Sequence, residues 1–241
     1  MHLAGFAGCL GPMSPFQIAS LVFVVVVPLL VWTFDRQPHT AHLTRLCERA
    51  LAAGLVAALV GELIAKIFDG TFNLANALPM QLCDWALFAT SGALWWRWRA
   101  GFDVAYFWGL AGTAQALFTP AVASDLYWLR LVGFFFIHAG IVAGVLHLLL
   151  TARFRPGWPR SIVRVAIASE IYLVIALMAN AVTGGNYGFL GHKPVTRSML
   201  DLFSDTHWLY VLEINLVAWL FFALLYLPWL IVDASRARRS R

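Results

Sequence analysis

Residues 131–150 read LVGFFFIHAGIVAGVLHLLL, twenty positions without a single Asp, Glu, Lys or Arg. At about 1.5 Å of rise per residue such a run makes a helix of about 30 Å, the thickness of a bilayer's hydrocarbon core. Working outward, comparable apolar runs occupy residues 18–33, 50–68, 79–96, 103–122, 165–182 and 208–231. The chain is 61% hydrophobic and 12% charged, which leaves too little polar surface to cover a soluble globule of 241 residues. The expected fold class is all-α: a polytopic membrane protein, a bundle of seven transmembrane helices forming one membrane domain over residues 1–241. Membrane β-barrels are excluded because the runs are long and nearly unbroken, whereas barrel strands are segments of about ten residues that alternate in hydrophobicity.

The placement of arginine and lysine orients the bundle. Flanks after the odd-numbered runs carry Arg36, Arg45, Arg49, Arg97, Arg99, Arg153, Arg155, Arg160 and Arg164, and the C-terminus adds Arg236, Arg238, Arg239 and Arg241. The opposite flanks carry Arg130, Lys193 and Arg197. Cytoplasmic loops retain positive charge, so the N-terminus is expected outside and the C-terminus in the cytoplasm, in the cell membrane. The net charge of +5 expresses this topology and gives no reason to expect nucleic acid as a partner; the basic tail is suited to anionic lipid.

Residues ahead of the first run lack the positive region of a secretory signal, and Gly5, Gly8, Gly11, Pro12 and Pro15 suggest a short irregular lead, so the first span is read as retained. Cys9, Cys47 and Cys83 are odd in number and lie far apart, outside any C-x-x-C spacing. Neither a disulfide framework nor a metal site is expected, and no cofactor is implied. The oligomeric state is left open by the sequence.

Six of the seven runs contain an amide or ionisable side chain, and at helical rise most of these groups share a depth. Cys83, His138, Gln115 and Glu213 fall roughly 6 to 10 Å below the outer surface. Glu62, Lys66, Gln81, Asp84, Asn180 and Asn215 join the same outer half, while Glu170 and His147 lie deeper. Polar groups in lipid are costly and usually face a bundle interior, where they mark functional sites. The plainer alternative is that they hydrogen-bond between helices as scaffolding. Glu62 and Lys66, four apart, are read as a self-neutralising pair, but scattered structural bonds have no reason to share one depth.

Within this layer Cys83 and His138 carry the sharpest chemistry. Pro79 suits the first turn of a helix, which places the Cys83 thiol about one turn inside, where the helix dipole favours a thiolate. His138 stands among Phe134, Phe135, Phe136 and Ile137, with no local polar partner. A cysteine and a histidine at one depth suit covalent acyl transfer, the imidazole taking the thiol proton and later returning one to the leaving group.

The runs Leu78-Pro79-Met80-Gln81-Leu82-Cys83-Asp84, Tyr106-Phe107-Trp108-Gly109-Leu110-Ala111-Gly112 with Gln115-Ala116-Leu117, then His138, and Gly185-Asn186-Tyr187-Gly188-Phe189-Leu190 with Lys193-Pro194 resemble YwaF-type bacterial integral membrane proteins. That group is similar to the animal transmembrane protein 164 group. The resemblance runs in order over about residues 16 to 230. It implies lipid acyl transfer through a membrane cysteine and a histidine, roles that fall on Cys83 and His138; because a site facing outward does not meet cytoplasmic acyl-coenzyme A, membrane phospholipid is the expected substrate.

The expected function is therefore a lipid acyltransferase, transacylase or lipid hydrolase opening toward the outer leaflet. Gln115 or Asn186 are candidate oxyanion donors, Asp84 or Glu213 candidate partners of the histidine. The loop through Gly184, Gly185, Asn186 and Tyr187 either caps the site or forms a turn. The competing class is a small-solute or ion transporter or channel using the same polar layer, although no inverted repeat is visible. A retinal or haem protein fits poorly, because the seventh run has no lysine and His138 and His147 lie 2.5 turns apart on opposite faces.

Overall fold

The computed structural model describes residues 13–37, 39–120, 128–194 and 198–239. The glycine- and proline-rich lead with Cys9, the end of the fourth expected span at Val122, Arg197 and the side chains of the C-terminal arginines lie outside what is described. Helix is the only regular secondary structure among the described residues. In order these are α1 (Pro15–Asp35), α2 (Ala41–Phe68), the short α3 (Leu74–Ala77), α4 (Leu82–Trp96), α5 (Arg99–Trp108), a π-helical segment (Gly109–Thr113), α6 (Gln115–Phe118), α7 (Trp128–Leu150), α8 (Arg160–Thr183), two 3₁₀ turns (Tyr187–Phe189 and Met199–Leu202) and α9 (His207–Arg239).

Local signals set several ends. Ser14 caps α1, its Oγ accepting from the Gln17 N–H while Gln17 Oε1 accepts from the Ser14 N–H at 2.9 Å, with Pro15 in the first turn. Helix α8 stops at Gly184, whose φ of +70° is the left-handed conformation that glycine adopts without a Cβ clash.

Five helices, α1, α2, α7, α8 and α9, are long and apolar enough to cross a membrane. The other two expected spans take different forms. Helix α4 has 15 residues, about 22 Å at helical rise. The fourth expected span is a rod from Arg99 to Phe118 that widens into π geometry at its middle.

Polar contacts sort the helix ends into two groups. Glu48, at the start of α2, is 1% exposed. It meets Arg97 after α4 at 2.7 Å, His147 of α7 at 2.9 Å, and Arg45 on its own helix. Arg45 also donates to the carbonyls of Leu94 and Trp95. Asp103 of α5 bonds Ser161 at 2.8 Å and Arg164 at 2.7 Å on α8, and Arg155 reaches Asp233 of α9. These contacts gather the arginine-bearing ends of α2, α4, α5, α7, α8 and α9. At the other end, Arg130 near the start of α7 meets Asp69 after α2, and Gln17 of α1 donates to the carbonyls of Leu117 and Phe118. Consecutive long elements therefore run up and down, and His147, deeper than the other polar groups, belongs to the Glu48 cluster.

The core lies where α4, α5, the π segment and α7 meet α2 and α8, with Leu55, Leu87, Leu94, Phe102, Phe107, Ile141, Val145 and Val165 fully buried. Small residues allow the closest approaches, as is common between membrane helices. A Cβ on Gly140 would stand 2.8 Å from Leu55 of α2, and one on Gly144 would stand 2.8 Å from Thr90 of α4. On the outside, Val22, Val25, Leu29 and Leu30 of α1, Ile167, Ile171 and Val174 of α8, and Leu216, Leu220 and Leu224 of α9 are exposed, an apolar surface matched to lipid tails.

Candidate functional site

Cys83 occupies the first turn of α4, nearer the helix end than Pro79 suggests. Leu78 and Gln81 are extended, Met80 N–H bonds the Leu78 carbonyl at 2.8 Å, and Pro79 belongs to this turn ahead of the helix. The helix starts at Leu82 because the Asp84 carboxylate accepts the Gln81 N–H at 2.9 Å. Asp84 thus fixes the helix start, satisfying a backbone group that has no partner within the helix.

The height of Cys83 relative to His138 follows from an observed contact. Gly144 of α7 meets Thr90 of α4, and both helices start at the same end of the bundle. Cys83 precedes Thr90 by seven residues and His138 precedes Gly144 by six, so the two lie within about 1.5 Å of one another along the bundle. Cys83 shares the α7-facing side of α4 with Thr90 and Leu94, at about 100° per residue. His138 is turned about 120° around α7 from Gly144, toward the side carrying Ile141 and Val145. That side packs on Gly109, where a Cβ would stand 3.1 Å from Ile141. The π segment also reaches the start of α4: a Cβ on Gly112 would stand 2.9 Å from Leu82. It therefore contacts both the start of the Cys83 helix and the His138 face of α7.

His138 is buried, and its Nδ1 lies 2.7 Å from the Phe134 carbonyl. A carbonyl only accepts, so Nδ1 carries the proton and Nε2 of the neutral ring keeps its lone pair. Nε2 has no hydrogen-bond partner among the described residues. No hydrogen bond joins the half-buried Cys83 thiol to the ring among the described residues.

Glu62, read from sequence as half of a scaffold pair, does meet Lys66 at 3.1 Å, and Lys66 also donates to the Asn76 carbonyl. Spacing to Lys66 is the visible sequence signal for this pair. Tyr172 of α8 is a residue missed from sequence. It donates to the Met80 carbonyl at 3.2 Å, on the turn ahead of the Cys83 helix, and packs edge-on against Trp85 at 5.6 Å between ring centres.

The remaining expected residues have other partners. Gln115 Nε2 donates to the Ala111 carbonyl at 2.6 Å, and Glu213 accepts the Ser204 N–H at 2.6 Å. Asn186 closes its own loop, donating to the His192 carbonyl and accepting from the N–H groups of Gly191 and His192. Tyr187 is fully buried, donating to the Leu74 carbonyl at 2.5 Å and accepting from Leu78 N–H. Gly188 N–H donates to Gln81 Oε1 at 2.9 Å. The loop after α8 thus lies on the segment that leads into the Cys83 helix.

A cavity of about 570 Å³ lies elsewhere, between the arginine-bearing ends of α1 and α7, lined by Trp32, Asp35, Arg36, Leu150, Thr151 and Arg153. It contains neither Cys83 nor His138.

Residues 12–226 match the model of the TMEM164 family, from ahead of α1 well into α9. The chain belongs to the TMEM164 family. It is a multi-pass helical membrane protein, and the match spans both helices that carry Cys83 and His138. No curated protein and no solved structure matches the chain.

Proposed function

We propose that this TMEM164 family member is a lipid acyltransferase, transacylase or lipid hydrolase of the cell membrane. Cys83 is its nucleophile and His138 its general base and acid. The observation that carries this reading is the common height of the two residues on parallel helices joined at Thr90 and Gly144, with His138 Nε2 free to accept a proton. In this reading the chain crosses the membrane seven times, with the short α4 and the rod from Arg99 to Phe118 completing the five longer spans. The arginine-bearing end faces the cytoplasm and Cys83 lies toward the outer leaflet.

The chemistry runs in two halves. His138 Nε2 takes the Cys83 thiol proton as sulfur attacks the ester carbonyl of a phospholipid; the leaving alkoxide takes that proton, and a thioester remains on Cys83. A second lipid alcohol or water then attacks the thioester, the imidazole deprotonating it and reprotonating the sulfur. A donor on the outer side is a phospholipid, because acyl-coenzyme A belongs to the cytoplasm.

Incubation of the purified protein with phospholipid, followed by mass spectrometry, is expected to reveal an acyl thioester on Cys83 that hydroxylamine removes. Cys83→Ala is expected to abolish both thioester and product. An unmodified Cys83 in the wild-type protein, with solute flux that persists in Cys83→Ala, establishes the transporter reading instead.

A further inference from the structure

The reaction above lacks a donor for the carbonyl oxygen, since Gln115 and Asn186 are engaged with backbone carbonyls. Among the described residues two buried side-chain hydroxyls are not engaged, those of Thr113 and Tyr226, and Tyr226 packs on Trp158 at the arginine-bearing end, away from Cys83. Threonines within helices rest their hydroxyl on a carbonyl one turn back, as Thr90 does on Ala86 and Thr183 on Ala179, both at 2.7 Å, and Thr119 and Thr151, just past helix ends, do the same on Gln115 at 3.2 Å and His147 at 2.9 Å. Thr113 departs from this habit. It is 3% exposed, and its Oγ1 has no hydrogen-bond partner among the described residues. The cause is local: Thr113 ends the π segment, whose wider turn gives the Gly109 carbonyl to the Ala114 N–H at 2.8 Å. Such π turns are rare and frequently mark functional sites.

The register places this hydroxyl. Gly109 faces Ile141 and Val145 of α7. Thr113 follows Gly109 by four residues, about one turn, on the same side of the rod and nearer the Cys83 end. His138 precedes Ile141 by three residues, on the same side of α7 and one turn nearer that same end. The two elements run in opposite directions, so Thr113 and His138 are brought level on facing sides. Gly112, the neighbour of Thr113, packs on Leu82, the neighbour of Cys83.

We propose that the end of the π segment is the oxyanion site, with Thr113 Oγ1–H donating to the carbonyl oxygen of the acyl ester as Cys83 attacks. This deepens the acyl-transfer reading and rests on it. As the carbon–sulfur bond forms, the carbonyl π electrons move to oxygen and the hydroxyl hydrogen-bonds the resulting anion. When the intermediate collapses, those electrons re-form the carbonyl and the alkoxide leaves with the proton held by His138. Thr113 itself neither gains nor loses a proton.

The test compares wild type, Thr113→Val and Thr113→Ser in lipid nanodiscs containing phosphatidylcholine, following thioester formation on Cys83 and its dependence on substrate concentration. Loss of one oxyanion donor lowers kcat about 10²–10³-fold. Valine is expected to show that loss with little change in KM, and serine, which keeps the hydroxyl, to recover most of the rate. Valine acting as fast as wild type, or serine falling as far as valine, overturns the assignment of Thr113 while leaving Cys83 and His138 in place. Absence of any thioester in the wild type overturns the acyl-transfer reading and this site together. Thermal unfolding of all three separates the hydroxyl's role from a folding defect, because valine matches threonine in shape.

Discussion

Thr90 of α4 and Gly144 of α7 approach so closely that a Cβ on the glycine would stand 2.8 Å from the threonine methyl. This contact sets the height of Cys83 against His138. Gly144→Val is expected to push α4 from α7 and to destabilise the protein by about 1–3 kcal/mol, the usual cost of overpacking. Gly133→Ala, on the same helix but facing open space, is expected to be neutral. Thermal unfolding of the two variants, with thioester formation measured below both melting temperatures, checks the pair.

The bond from His138 Nδ1 to the Phe134 carbonyl holds the ring in the tautomer a general base requires. His138→Gln keeps an amide of similar length and removes the proton carrier, so Cys83 acylation is expected to fall about 10²–10⁴-fold with folding preserved. Rates in nanodiscs, set beside circular dichroism melts, provide the measurement.

Glu48 is buried among Arg97, His147 and Arg45, far along the bundle from Cys83. Glu48→Leu leaves two guanidiniums without their carboxylate and is expected to cost about 3 kcal/mol, the low end for a broken buried pair because both arginines are about a third exposed. The acylation rate per folded molecule is expected to stay at the wild-type level. A lower melting temperature with unchanged specific rate is the expected pattern.

Asp69, just after α2, accepts from the Thr71 hydroxyl and N–H and faces Arg130. The Thr71 bonds, aided by the Arg130 charge, hold its carboxyl below the ordinary carboxylate value. A depressed folded-state pKa adds stability above the unfolded value and loses it as pH falls through the folded one. Asp69→Asn is therefore expected to melt below wild type at neutral pH and to converge with it at strongly acid pH. A series of melts across that range reads the effect directly.

Much of this fold was legible because lipid imposes a simple rule: long apolar runs become helices, as at 131–150. The ends were less legible. Pro79 reads as a helix start, yet the Gln81–Asp84 bond begins the helix three residues later, and this side-chain contact outweighs the proline's preference. The shared depth of Cys83 and His138 follows from helical rise alone, whereas their facing depends on packing at Gly144 and Gly109, which hydropathy does not encode. Asn186 and Tyr187 looked like polar loop residues available to a substrate. Each proves to be satisfied by backbone: Asn186 within its loop, Tyr187 through Leu74 and Leu78. Nothing in Gly-Leu-Ala-Gly-Thr announces a π turn, so the sequence carries no signal for Thr113.

The ion pairs at the arginine-bearing end have a mechanical meaning. They bind α2, α4 and α7 through Glu48, α5 and α8 through Asp103, and α9 through Asp233, in the manner of a cord around the base of a sheaf. Separating the helices at that end means parting charged pairs, one set of them around a carboxylate that is 1% exposed, so helix spacing there is held by charge as well as by packing.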